Sequence, residues 1–109
     1  MILTTTNNIE NFKIADYLGI VTGTAYDSSY TANGTKMSFK DMFSMTKYYE
    51  KYSLALESIK EKAFQNLKEN ATKLNANAVV GIKVDVEPLA NSATLLVSIT
   101  GTAVKVSEF

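Results

Sequence analysis

Apolar residues recur at steps of three and four through the middle of the chain and predict a long amphipathic helix. The apolar stripe comprises Tyr49, Tyr52, Leu56, Ile59, Ala63, Leu67, Ala71 and Leu74. Charged side chains occupy the opposite side, where Glu69 and Lys73 have a spacing that stabilises a helix. Ser38 and Asp41 resemble a capping box at the start of the helix. Asn75, which tolerates the left-handed conformation of a C-cap, marks its end.

After the helix, alternating apolar and polar residues predict two long strands. The first covers residues 77–87 and has one apolar face, formed by Val80, Ile82, Val84 and Val86. A turn over residues 88–92 leads to the second strand, residues 93–106, so the two strands form an antiparallel hairpin. In the second strand the apolar positions change parity at Gly101-Thr102, which favours a β-bulge there.

Before the helix, the segment from Tyr17 to Asp27 is rich in Ile, Val, Thr and Tyr and predicts another strand. Gly19 and Gly23 are expected to allow close backbone approach within it. The elements predict an α+β domain over residues 1–109: an antiparallel β-sheet with one long helix packed on a face, preceded by a short N-terminal strand. Such a sheet, covered on one face, leaves a half-apolar face and two edges open, which oligomerisation would close.

The predicted helix is too long for a compact domain. From Ser38 to Leu74 it would measure about 54 Å, whereas a domain of this size is about 35 Å across. Either the helix breaks near residues 45–47, or its end packs on another subunit.

Composition restricts the chemistry more than the fold. The eleven Lys balance eleven Asp and Glu, and the chain contains no Arg, Cys or His. Without Arg, nucleic-acid binding is disfavoured. Without Cys and His, the usual ligands of zinc and copper are missing, as is the side chain that titrates naturally near neutral pH. No signal-peptide pattern follows Met1, and no apolar run reaches the roughly 20 residues that span a bilayer, so we expect a cytoplasmic protein without a membrane partner.

The candidate site residues are two acidic side chains. Asp85 and Glu87 point to the same side of one predicted strand, and repeated around an oligomer they would offer oxygen ligands to a hard metal ion. The alternative is that they are solvated strand charges beside Lys83. An enzyme using such an interfacial carboxylate is the other functional hypothesis, but no catalytic motif accompanies it. Ser44 and Lys47 match a Ser-x-x-Lys pattern whose companion motifs are absent.

The segment from Met37 to Met45 concentrates three of the four Met with two Phe. It is expected to be buried in the core or in a subunit contact. The alternative is a groove for a peptide, a lipid or a flat ligand.

Four segments resemble the YbjQ-like family of small bacterial proteins. They are residues 1–6 (MILTTT), 17–25 (YLGIVTGTA), 74–82 (LNANAVVGI) and 100–104 (TGTAV). The resemblance implies a β-α-β-β unit with an added N-terminal strand, related to the dodecin-like fold and assembled into a ring-shaped homopentamer. The family carries a heavy-metal-binding label. A heavy-metal site is expected to use soft or borderline ligands, and without Cys and His this chain offers only Met thioethers and oxygens. We therefore carry over the fold and the assembly and predict no resident metal or other cofactor.

The functional hypothesis is a non-enzymatic homo-oligomer that binds a small ligand, an ion or a partner at a subunit interface. Its expected partner is itself.

Overall fold

The computed structural model describes residues 1–27, 45–88 and 95–109. In chain order the elements are β1 (Ile2–Leu3), β2 (Phe12–Asp27), α1 (Met45–Lys73), β3 (Ala78–Pro88) and β4 (Leu95–Glu108). The α+β class and the long helix after a strand are therefore confirmed. The Ser38–Asp41 capping box, residues 37–44 of the Met-rich segment and the turn after Pro88 lie outside the described residues.

The sheet is mixed rather than antiparallel, which corrects the expectation from the sequence. Its strand order is β1-β3-β4-β2. Both long pairings, β2 with β4 and β3 with β4, are antiparallel. The short strand β1 instead runs parallel to β3, with Ile2 opposite Ala78. The parallel pair is possible because most of the chain separates β1 from β3, which is ample for a crossover connection.

Helix α1 packs the part of the predicted stripe from Leu56 to Ala71 against β2 and β4. The side chains of Tyr49 and Tyr52 lie outside what the structure describes. The buried side chains of the helix are Ile59, Ala63, Leu67 and Ala71, and they face Val21, Ala25, Leu95, Val97 and Ile99 from the sheet. Leu74 is the exception, since it lies past the last helical residue and is 39% exposed. From Leu56 to Ala71 the periodicity therefore identifies the helix face that packs on the sheet.

Asn75 ends the helix as predicted. Its φ is 65°, in the left-handed region. The amide of Ala76 donates to the oxygen of Ala71 at 3.1 Å, and the amide of Asn75 donates to the oxygen of Thr72 at 2.9 Å. These two bonds form a Schellman motif, which satisfies carbonyl groups that the helix end leaves without partners.

The predicted bulge at Gly101-Thr102 is wrong. Strand β4 alternates without interruption, and the extra residues lie on its neighbours: on β2 after Ile14 and after Tyr17, and on β3 between Val80 and Lys83. Two separate cores explain the parity change in β4. Alternate residues from Leu95 to Ala103 face the helix, whereas Val104 and Val106 face the other side, in a cluster that includes Ala78, Val80, Ile9, Phe12 and Ile14.

The bulge in β3 also corrects the predicted apolar face of that strand. Gly81 has a φ of 62°, a conformation that side chains rarely adopt. Because of the extra residue, Val80 faces the second cluster while Ile82 faces the helix side. Gly81 therefore allows the backbone conformation of the bulge and is not required for close packing.

Of the two glycines expected to allow close approach on β2, only Gly23 does so. A Cβ at Gly23 would overlap the oxygen of Ala63 and the amide nitrogen of Leu67 in the helix backbone. A Cβ at Gly19 would meet no atom of the described residues within 4 Å, but the residue has a φ of 120°. Gly23 thus sets the distance between helix and sheet, and Gly19 shapes the strand beside its irregularity.

The molecule is elongated. Its radius of gyration is 17.5 Å and its extents are 58 × 22 × 18 Å, whereas a compact domain of this length has a radius of gyration of about 13 Å. The side chains of Asn66 and Asn70 lie beside Thr24 and Thr22, so the helix runs antiparallel to β2. At the usual rises per residue, its first part extends roughly 20 Å past the end of β2.

Candidate functional site

The candidate site is the outer edge of β3 from Lys83 to Glu87, together with the sheet face beside it. Strand β1 covers only the beginning of β3, opposite Ala78 and Val79. The chain after β1 extends this cover, because Thr6 and Thr4 accept from the amides of Gly81 and Ile82. Among the described residues, no strand pairs with the outer edge of β3 beyond that point.

Hydrogen bonds at the other side of the sheet show which main-chain groups of β3 face outward. The carbonyl groups of Thr22 and Thr24 bond to the helix, so they point away from β4. Their β4 partners Thr100 and Ser98 therefore direct their main-chain groups toward β3.

These two residues lie opposite Lys83 and Asp85. The intervening residues of an antiparallel strand point their main-chain groups to the other side. The amide and carbonyl groups of Val84 and Val86 thus face the open edge.

The side chains of Val84 and Val86 are also incompletely covered. They lie on the helix side of the sheet, opposite Ile99 and Val97 of β4. Helix α1 packs over β2 and β4, and the two valines are left 40% and 39% exposed. An open strand edge and an apolar strip therefore occur at the same place, which is a typical arrangement for strand addition.

Asp85 and Glu87 project from the opposite face of β3. Together with Ser98 and Leu96, their neighbours on β4, they line a shallow depression of about 270 Å³. Both carboxylates are exposed. The enzyme hypothesis requires a carboxyl group in a closed pocket, and the described part of the protomer provides none around these two residues.

The residues present do not fit a heavy-metal site. The chain has no Cys and no His. Among residues 1–27, 45–88 and 95–109, no three acidic side chains come together in a way that could hold an ion. Asp85 and Glu87 provide two carboxylates, which suit a hard cation rather than a soft one, and one protomer supplies too few of them.

Two helix amides that the sequence reasoning missed close part of the opposite sheet edge. Asn66 Nδ2 donates to the oxygen of Thr24, and Asn70 Nδ2 donates to the oxygen of Thr22, each at 2.8 Å. Both asparagines come directly before a buried residue of the helix stripe, so they flank it. Side chains four residues apart on a helix have nearly the same separation as alternate residues of a strand, so they can bond to such residues when the helix runs close to the strand. This spacing of four is the signal that could have identified the two asparagines.

The Ser44–Lys47 pattern cannot be placed in a site, because Ser44 and the side chain of Lys47 lie outside what the structure describes. The described helix, α1, is not long and apolar enough to cross a membrane.

One family model matches residues 1–107, and its description reads "Putative heavy-metal-binding". The chain belongs to the YbjQ family. This confirms the resemblance seen in the four sequence segments. The heavy-metal description is not matched by the donor atoms of this YbjQ-family chain, as the composition and the described residues both show.

A solved structure supports the fold. It is the 2.73 Å crystal structure of a protein of unknown function from Pediococcus pentosaceus, described as a member of the DUF74 family. The two chains share 18% sequence identity, and the match covers 98% of each with a TM-score of 0.62. At this identity the similarity shows a shared fold.

Proposed function

We propose that this YbjQ-family chain is a single-domain, cytoplasmic, non-enzymatic binding module. In this proposal it assembles into a homo-oligomeric ring, with five subunits as the family resemblance implies, and it binds a small ligand or an ion where subunits meet. The open edge of β3 with its half-exposed Val84 and Val86 is the observation that carries the proposal.

Assembly would remove three features that are unfavourable in an isolated chain: unpaired main-chain groups, exposed apolar side chains and a helix that extends past the sheet. A strand added to β3 would satisfy the outward main-chain groups of Val84 and Val86 and cover their side chains. A neighbouring subunit would also cover the part of helix α1 that extends past the sheet. The elongated shape, with a radius of gyration of 17.5 Å, supports the proposal because a subunit of a larger assembly need not be compact by itself.

The depression beside Asp85 and Glu87 supports the location of ligand binding. It lies next to the open edge of β3, so a subunit that packed there would form an additional wall and convert an open surface into an enclosed site. Two carboxylates, the hydroxyl of Ser98 and the apolar Leu96 suit a hard cation or a small cationic ligand. Neighbouring copies would supply the further ligands that one protomer lacks.

Native mass spectrometry of protein purified without added metal tests both parts, because it reports subunit number and retained mass together. A five-subunit species with extra mass is the expected result. The Asp85→Asn/Glu87→Gln variant should lose the extra mass and keep the subunit number. As a matched control, Glu61→Gln/Glu69→Gln removes two exposed helix carboxylates and should keep both.

A monomer at micromolar concentration would contradict the proposed assembly. A ring that retains its extra mass in the Asp85→Asn/Glu87→Gln variant would contradict the proposed ligand position and leave the assembly intact.

A further inference from the structure

We infer that Asn66 and Asn70 determine which sheet edge a second copy of this chain can join. They close the edge of β2 at Thr22 and Thr24, so that strand addition is directed to the edge of β3. The inference rests on the proposed self-assembly and names the residues that control its geometry.

The two asparagines occupy the acceptors that an added strand would need. A strand joining β2 must donate to the outward carbonyl oxygens of alternate residues. At Thr24 and Thr22 these oxygens already accept from the amides of Asn66 and Asn70 at 2.8 Å. Addition here would require both amides to be displaced, with the loss of two hydrogen bonds.

The helix backbone packs directly on the face of this part of β2. Gly23 lies between Thr22 and Thr24, and the backbone atoms of Ala63 and Leu67 leave no room there even for a Cβ. The helix therefore sits directly against the strand where the amides reach its edge. The edge itself is covered by the two asparagine side chains, and covering an edge protects it from pairing with other chains.

The first part of β2, before Ile20, carries a second kind of protection. Extra residues interrupt its register after Ile14 and after Tyr17, and Gly19 adopts a φ of 120°. Such irregularities bend a strand and disturb the regular spacing that a partner strand must match. From Lys83 onward, β3 pairs regularly with β4 and shows neither device. The two edges of the sheet thus differ in their readiness to accept a strand.

Replacing both amides with an apolar side chain of similar size tests the inference. The Asn66→Leu/Asn70→Leu variant cannot donate to the strand, so a second edge becomes available. We expect species with more subunits than the wild type, or fibrous aggregates, in native mass spectrometry and sedimentation velocity at equal concentration. Circular dichroism tests whether the variant is folded.

Two matched controls separate edge opening from other effects. Gln65→Leu/Glu69→Leu adds two leucines at the same spacing on exposed helix positions and should keep the wild-type subunit number. At the other edge, Val86→Pro removes an outward amide that β4 does not use and should reduce the subunit number. Val86→Ala retains that amide and should reduce the subunit number less.

A measurement on the unaltered protein keeps the inference testable if the double variant does not fold. Side-chain amide protons of Asn66 and Asn70 should exchange with solvent more slowly than those of the exposed Asn8. Equal exchange rates would overturn the inference, as would a folded double variant with the wild-type subunit number. A monomeric wild type whose double variant gains subunits would refute the proposed assembly but uphold the closing role of the two asparagines.

Discussion

The side chain of Asn77 pairs with the main chain of Val106 as if it were a strand residue. Its Nδ2 donates to the oxygen of Val106 at 2.9 Å, and its Oδ1 accepts from the amide of Val106 at 2.8 Å. The amide of Asn77 also donates to the oxygen of Val104. Hydrogen bonding to β4 thus begins at Asn77, one residue before the start of β3.

Asn77→Ala should lower the free energy of unfolding by about 1–3 kcal/mol, because two hydrogen bonds disappear and the main-chain groups of Val106 lose their partners. Urea denaturation followed by circular dichroism measures the change. Asn8→Ala, at an exposed position, is the control and should change the free energy by less than about 0.5 kcal/mol. Equal effects of the two substitutions would show that the Asn77 pair contributes nothing to stability.

Gly23→Ala should destabilise the fold by about 1–3 kcal/mol or more, because the added methyl group overlaps helix backbone rather than a mobile side chain. The helix must move away from β2, which also weakens the bonds from Asn66 and Asn70. Thermal unfolding should therefore show a lower midpoint. Thr24→Ala, at the exposed neighbour, serves as the control. An unchanged midpoint for Gly23→Ala would contradict the tight contact.

Replacing Asn75 by Gly and by Ala should have different effects on the stability of the fold. Asn75→Gly should keep or slightly raise stability, because glycine adopts a φ of 65° without strain. Asn75→Ala should lower stability by about 1 kcal/mol, since a Cβ without a compensating polar group is disfavoured in this conformation. Chemical denaturation of both variants provides the comparison. The same stability for Gly and Ala at this position would argue against the left-handed cap.

Soft metal ions should not bind tightly. Titration calorimetry with Cd²⁺ should give no saturable heat, because the chain provides neither thiolate nor imidazole. The Asp85→His/Glu87→His variant is a positive control, since two imidazoles on one face of a strand offer borderline ligands at chelating spacing. Saturable Cd²⁺ binding by the unaltered chain would contradict the argument from donor atoms and direct attention to the methionine thioethers.

Local patterns predicted those parts of the fold that local interactions determine. The helix stripe around Ala63 and Leu67 and the cap at Asn75 follow from spacing and backbone preference alone. The position of Gly81 in a bulge could not be predicted in this way, because the alternation of apolar and polar residues in the sequence does not show whether the strand contains an extra residue. The parallel pairing of Ile2 with Ala78 joins two distant points of the chain, and no short pattern encodes it.

The candidate site shows the same division. That Asp85 and Glu87 share a face follows from the period of a strand. That the edge beside them is open depends on helix α1 covering β2 and β4 instead of β3, which is a result of tertiary packing. The role of Asn66 and Asn70 depends on the same packing, because their amides reach β2 only where Gly23 admits the helix.

The pairing of Phe12 with Glu108 joins residues near the two extremes of the sequence. During synthesis, the first half of β2 therefore has no strand to pair with until β4 has been translated. Contacts this distant along the chain are associated with slow folding. We expect nascent β2 to wait as an unpaired apolar strand on the ribosome, where a chaperone that binds extended segments would have its best opportunity to act.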